Sequence, residues 1–473
     1  MKLTNVKLKK DFENIMKITS KHFAPKSKSN SRKQNLGKLE DNLDTSNENF
    51  STGIFWLKQN ILPNIRKHKK KEINYISSII LLTYIFKKIY TKIKSRVGKI
   101  NDSLSIYLKS EDIDYGLTEL SRKLEDSFGK HTIYFISNLL SLQDIDSINI
   151  GKVSIKRIDE KIIEELPSSI EKPYFSNVYT PLSLALIKGE YINPNKFIEE
   201  FKGKTLFEVT IEGYQVENET SDVFEEALRE FKIALSYFSI CKIFLENLSS
   251  NKYSIETKKI KQNNNYGLKS DYQIYYLKNN KESKILKAMN VLSEYITLPE
   301  FSFTINKALL EKIEKRCCLK NFNMIIQNEK FGEIGDKIKR SLDWVFKEMF
   351  EKDDTDKTIA LFISLETLIS TGSDQFISLT DNYAENIAIM THNNVEDRLN
   401  EKKFFKKKVY PLRNNIMHNG YKVNREKDWN EIQRLKIYVA WTLHWFIRNI
   451  DTLMKIGNNT KAVKEYFERE RLK

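Results

Sequence analysis

Three cysteines in 473 residues, Cys241, Cys317 and Cys318, leave little scope for covalent or metal stapling. Two of them are neighbours, which rarely bridge each other, and no CxxC spacing occurs. A disulfide framework and a structural zinc site are therefore not expected, and a reducing compartment fits. Glycine and proline are also scarce, at 15 and 8, which argues against disorder over most of the length. There is no Walker loop, no GxGxxG after a strand and no HExxH, so the signatures of P-loop enzymes, dinucleotide enzymes and zinc proteases are missing. Long hydrophobic runs are missing too. The most apolar stretch, Ile73 to Phe86, spans 14 residues between lysines, where a bilayer needs about 20. It reads as a buried helix, with no stable membrane insertion. The opening MKLTNVKLKKDF has no apolar core of a secretory signal, so a cytoplasmic protein is expected.

What the chain does have is positive charge. Lys and Arg number 79 against 63 Asp and Glu, a formal net charge of +16. Such an excess favours a polyanionic partner, nucleic acid or an anionic membrane surface; a lysine-rich composition without function is the plain alternative. The excess is locally dense. Residues 51–100 hold twelve Lys and Arg with Glu72 as the one acid. Lys69, Lys70 and Lys71 precede the apolar run and are candidate RNA-backbone contacts, where each neutralised phosphate releases counterions. A solvated helix face explains the same lysines equally well.

The expected fold class is α+β and mostly helical, in three parts. Residues 1–115 read as a basic helical region with a polar linker at about 25–53. Residues 116–297 read as an α+β sensing or regulatory domain. There Ile148–Ile158 and the alternation of Phe207, Val209 and Ile211 with Glu208, Thr210 and Glu212 have the period of half-buried strands. A helix is expected from about Asp222 to Leu248, and a strand at Tyr272–Leu277. Residues 298–473 are helical throughout and read as an all-α bundle. Expected there are a helix capped by Asp356 and ended by Gly372, one over 376–390, one over 395–419 breakable at Pro411, and one from Asp428 to about Lys455.

The chemistry gathers at Val409–Gly420, VYPLRNNIMHNG. Asn414 and His418 are four apart and share a helix face, Arg413 lies beside it, and Asn419–Gly420 ends the helix. RNA can be cut without metal by its own 2′-hydroxyl attacking the adjacent phosphorus. Histidine exchanges protons near neutral pH, arginine supplies fixed forked positive charge to the phosphate, and asparagine can hold either group. One histidine is half of an acid–base pair, which two copies facing each other would complete. The bland counterpart is a helix end where His418 caps carbonyls and Arg413 is solvated. Upstream, Glu366 is the one charge in TIALFISLETLISTGS, aligned with Ile359, Phe362, Ile363 and Ile369. A carboxylate on such a face needs a cation. Arg413 is the candidate, and a glutamate reaching water at the bundle rim is the alternative. Residues 401–425 carry eight Lys and Arg against Glu401. Lys406, Lys407, Lys408 and Tyr410 are thus candidate RNA contacts. His392 falls in a polar loop-like stretch, and His444 reads as packed or surface-lying.

The stretch LETL (Leu365–Leu368), followed downstream by VYPLRNNIMHNG, resembles the Apea-like HEPN domain. Tyr410, Arg413, Ile416, His418 and Gly420 match its motif helix, with Asn419 as an extra residue, and Glu366 matches its acidic position. Asn382-Tyr383-Ala384 stands where the family often has Arg-x-Ala, and Pro411 is a second departure. The resemblance covers roughly residues 330–455. It implies a metal-independent endoribonuclease without cofactor, working as a homodimer with a composite site. Its usual setting is bacterial anti-phage defence, where cellular RNA such as tRNA is cut and upstream domains respond to a phage-derived trigger. Two other readings compete. A non-catalytic HEPN module would bind RNA or nucleotide and regulate a partner. A membrane-associated effector would use residues 62–96.

Overall fold

The computed structural model describes residues 6–20, 52, 54–65, 73, 75–98, 104–137, 140–158, 205–214, 222–249, 274–279, 284–290, 303–327, 331–351, 353–370 and 378–471. Lys69, Lys70, Lys71, Gly372 and all but residue 52 of the polar stretch 25–53 lie outside these residues. The chain is mostly helical with a small sheet. The first long helices are α1 (Val6–Ser20), α2 (Tyr75–Val97) and α3 (Ser110–Ser127). Strands β1 (Phe128–Ser137), β2 (Leu140–Leu142), β3 (Ser147–Ile150), β4 (Val153–Arg157) and β5 (Thr205–Tyr214) follow, and then the long α4 (Asp222–Ser249). After β6 (Ile274–Asn279), β7 (Lys284–Asn290) and β8 (Phe303–Ile305) the chain is helical. These helices are α5 (Lys307–Arg316), α6 (Leu319–Gln327), α7 (Gly332–Phe350), α8 (Asp354–Ile369), α9 (Leu379–Thr391), α10 (Val395–Phe404), α11 (Tyr410–Asn419), α12 (Trp429–Arg448), α13 (Ile450–Ile456) and α14 (Thr460–Arg471).

Two compact units divide the chain, the first centred on residues 1–131 and the second taking most of the remainder. In the first, α1, α2 and α3 bury one stripe each. Leu81, Leu82, Ile85, Phe86, Ile89 and Ile93 recur at helical spacing on α2 and pack with Phe12, Ile15, Leu117 and Leu120. From the apolar run, Ile73, Leu81, Leu82, Ile85 and Phe86 are thus core. Gly116 permits the close approach, since a Cβ there would meet Ile89 Cδ1 at 2.6 Å. Among the described residues no helix is long and apolar enough to cross a membrane.

In the second unit the expected single alternation over 148–158 is a hairpin. Gly151, with φ of 58°, turns the chain, and Ile148 pairs with Ile155. Strand β4 then pairs antiparallel with β5, Ile155 opposite Phe207. The six-stranded sheet has the order β3-β4-β5-β1-β6-β7. The α4 segment from Ala227 onward ties these strands to the C-terminal helices. Phe231 stacks on Phe135 at 4.7 Å, Tyr237 stacks on Phe322 at 3.9 Å, and Asn247 Oδ1 accepts from Trp441 Nε1 at 2.9 Å. Residues 132–137, 140–158, 205–210, 227–249 and 285–290 fall in the second unit with the C-terminal helices, while 211–214 of β5 and 278–279 of β6 fall in the first.

Two elements position the site. Helix α8 is capped by Asp353, whose Oδ1 accepts from the Thr355 and Asp356 amides; Asp356, expected as the cap, is inside the first turn, where an acid suits the helix dipole. At its other end, Lys337 Nζ donates to the Ser370 carbonyl at 2.7 Å. Buried contact between Ser341 Oγ and Ser364 Oγ, 2.7 Å, brings α7 and α8 together. Helix α11 continues from α10 through a π-helical turn, Phe405–Val409. That turn ends just before Pro411, and its wider winding accommodates a residue that cannot donate. The expected break at Pro411 is thus an extra residue in the helical path, a feature that recurs at functional positions.

Candidate active site

Helix α11 packs through Leu412 and Ile416, which join Ile432 in a small core beside Ile359 and Val423. The other side of the helix faces water: Asn415, His418, Asn419 and Gly420 are exposed, and Arg413 and Asn414 are half-buried. Gly420 ends the helix at φ of 64°, the left-handed cap that a Cβ would strain. The Asn415 carbonyl accepts from the Gly420 amide and from Tyr421 N at 3.1 Å.

The expected ion pair is made. Arg413 Nε donates to Glu366 Oε1 at 3.0 Å, across from α11 to α8. Both side chains keep partial access to water, at 20% and 25% exposure. Glu366 therefore sits at the bundle rim and is paired there. Arg413 Nη1 points the other way, 3.4 Å from His418 Nε2 and 3.5 Å from Asn414 Oδ1. A guanidinium can only donate, so in this contact the His418 ring nitrogen is the acceptor. Burial disfavours the Arg413 charge, but the Glu366 hydrogen bond and charge outweigh it and push the guanidinium above its usual range.

Two tyrosines wall this cluster. The Arg413 guanidinium lies 5.7 Å from the Tyr410 ring centre, and Tyr383 meets Tyr410 edge-on at 6.3 Å. Tyr410, a candidate RNA contact in the sequence, is only 7% exposed. Its ring is taken up by Phe405, Tyr383 and Arg413, so it supports the arginine and offers no face to a base. Tyr383 was not among the sequence candidates. Burial raises its phenol pKa, and Glu366 and Arg413 lie within its electrostatic reach. Nothing local in Asn382-Tyr383-Ala384 signals this, because the contact depends on how α9 packs.

The three lysines on the π-helical turn are exposed. Lys406 Nζ holds Asp381 Oδ1 at 2.5 Å and keeps that carboxyl below its usual range, helped by Ser378. Lys402 is tied to Glu385. The positive field around the motif is therefore carried by Lys403, Lys407, Lys408 and Lys422, all exposed, more than by the full count of eight cations.

A second Arg–Glu–His grouping lies nearby. Glu401, 4% exposed, accepts from His392 Nε2 at 2.9 Å, from Arg434 Nε at 3.0 Å and from the Tyr438 hydroxyl. Burial raises the Glu401 pKa, but the hydrogen bonds from His392, Arg434 and Tyr438 dominate and bring it to about 2. His392 lies in the short loop between α9 and α10, as read from the sequence, and its ring ties that loop to Glu401 near the end of α10. His444 is buried against Phe244 at 3.9 Å, which agrees with a packing role.

In the first unit, part of the basic run is neutralised by α3. Asp112, fully buried, pairs with Arg96 at 2.9 Å and with Lys92 at 3.6 Å. No family model matches the chain, and neither a curated protein nor a solved structure matches it.

Proposed function

We propose that the chain is a metal-independent endoribonuclease of the HEPN kind, acting on cellular RNA such as tRNA as a homodimer in anti-phage defence. The observation that carries this reading is the contact at the end of α11. A histidine open to solvent lies 3.4 Å from an arginine whose other nitrogen is anchored on Glu366. A phosphate entering there meets a guanidinium already aimed by its carboxylate, with an imidazole beside it.

In this reading His418 takes the proton from the RNA 2′-hydroxyl as that oxygen attacks the adjacent phosphorus. The 5′-oxygen leaves with a proton from the second copy's histidine, since one chain supplies only one at the site. Products are a 2′,3′-cyclic phosphate and a 5′-hydroxyl. Arg413 stabilises the charge that builds on the phosphate, Asn414 holds it in register, Glu366 orients Arg413, and Lys407 and Lys408 attract the backbone.

The test is cleavage of total tRNA in excess EDTA, with fragment ends mapped. The expected result is cutting by the wild type with cyclic phosphate ends, lost in Arg413→Ala. Equal cutting by both proteins contradicts the reading.

A further inference from the structure

A second feature of the surface is independent of the Arg413–His418 site and lies in the first unit. Helix α2 carries Lys87, Lys88, Lys92, Lys94 and Arg96 and no acid. Its Tyr84, Lys87, Lys88, Thr91, Lys92 and Ser95, with Tyr115 of α3, line an open cleft of about 570 Å³ whose lining contains no carboxylate. The stretch runs over three helical turns, about 16 Å at the α-helical rise.

The Lys88 and Lys92 ammonium groups are held in place. Lys92 Nζ lies 4.6 Å over the Tyr115 ring and donates to the Glu111 carbonyl at 2.9 Å. Lys88 and Lys123 approach the Tyr84 ring at 5.5 and 5.4 Å. The acids of α3 stand beside the cleft and have nearer partners than its lysines. Glu119 is 2.9 Å from Arg122 but 3.7 Å from Lys88; Asp112 is 2.9 Å from Arg96 but 3.6 Å from Lys92. Lysines fixed before an anion arrives lose less rotamer freedom on binding it.

We propose that this cleft is a binding site for single-stranded RNA, with Lys87, Lys88 and Lys92 on successive phosphates and the two tyrosines beside the bases. An elongated, open, basic groove interleaved with aromatic rings is the pattern that tracks a single strand without reading its sequence. A small inorganic anion calls for donors converging on one point, and a duplex calls for a surface that follows a groove.

The test uses the full chain and a fluorescent 2′-O-methyl oligouridine, which cannot be cut through a 2′-hydroxyl. Binding is followed by anisotropy across a salt titration. Lys87→Gln with Lys88→Gln removes two half-buried cations and leaves the buried Asp112 pairs alone. The expected result is at least a tenfold weaker Kd, and a salt slope reduced by about 1.4 for two lost contacts to a single strand. A charge-matched control, Lys312→Gln with Lys315→Gln on α5, keeps wild-type affinity. Thermal melts verify that each variant is folded. Affinity unchanged in the cleft variant, or weakened equally in the control, overturns the proposal. Anionic vesicles bound by a chain that ignores the oligonucleotide overturn it as well.

Discussion

Two groups of arginine, glutamate and histidine lie in the C-terminal helices, and they differ in what is left over once each has satisfied itself. In the Glu401 group every oxygen of the carboxylate is used. His392, Arg434 and Tyr438 all donate to it, and it is 4% exposed. Around Glu366 only the Arg413 Nε contact is made from α11, and the arginine's free end projects to His418 at the surface. A closed network stabilises packing; an open one retains donors and a proton acceptor for an incoming group. The residue types are the same, and exposure separates their uses.

The largest effect expected from this contrast is on stability. Glu401→Ala strands Arg434 in a buried site, and breaking such a pair costs about 3–5 kcal/mol. Urea denaturation checks it. A loss below about 1 kcal/mol, the usual worth of an exposed pair, would show that the group is not closed after all.

Next comes pH. Burial, aided by the Arg448 charge, lowers His444 to about 4 from 6.5. The unfolded chain takes up a proton near pH 6.5 that the folded chain refuses. Stability is complete above pH 6.5 and falls as pH drops toward 4, by about 3 kcal/mol from a shift of this size. Glu401 works lower: its folded pKa near 2 against 4.5 contributes stability above pH 4.5 that is lost as pH falls through 2. Denaturation melts of His444→Leu between pH 6.5 and 4 should be flatter than those of the wild type. Parallel curves would remove this histidine from the acid limb.

The smallest effect is at the open group. Glu366→Gln keeps a hydrogen-bond acceptor and loses the charge that fixes Arg413. Its stability should change by less than about 1 kcal/mol, as for a pair with access to water. RNA cleavage should fall about tenfold, the equivalent of 1.36 kcal/mol in the barrier. Full cleavage would mean that Arg413 is held by the tyrosines alone.

The helical periods were legible in the sequence because each helix buries a regular stripe. α4, expected over Asp222–Leu248, is Asp222–Ser249, and α9, expected over 376–390, is Leu379–Thr391. The β3–β4 hairpin was missed although Gly151-Lys152 shifts the apolar positions from 148 and 150 to 153 and 155, the parity change of a two-residue turn. β1 was not foreseen. The last long helix ends at Arg448, and Asn449 separates α12 from α13, a break that apolar spacing does not reveal. At the site, Arg413, Asn414 and His418 were visible because they are local to one helix, and Glu366 because a lone charge stands out on an apolar face. Tyr383 and the closure of the Glu401 group depend on packing between helices distant in sequence. The ties of α4 to the strands and to the C-terminal helices depend on aromatic contacts such as Phe231–Phe135 and Tyr237–Phe322, which have no signature in either segment alone.

The most direct test of the central claim sets the two histidines against each other. Cleavage of tRNA in EDTA and urea stability are measured side by side for His418→Ala and His392→Ala. The account predicts that His418→Ala loses cleavage by about 10²–10⁴-fold, the worth of an acid–base group, at wild-type stability. It predicts that His392→Ala is destabilised and, where folded, still cuts. Cleavage retained by His418→Ala, or lost by a fully folded His392→Ala, would contradict it.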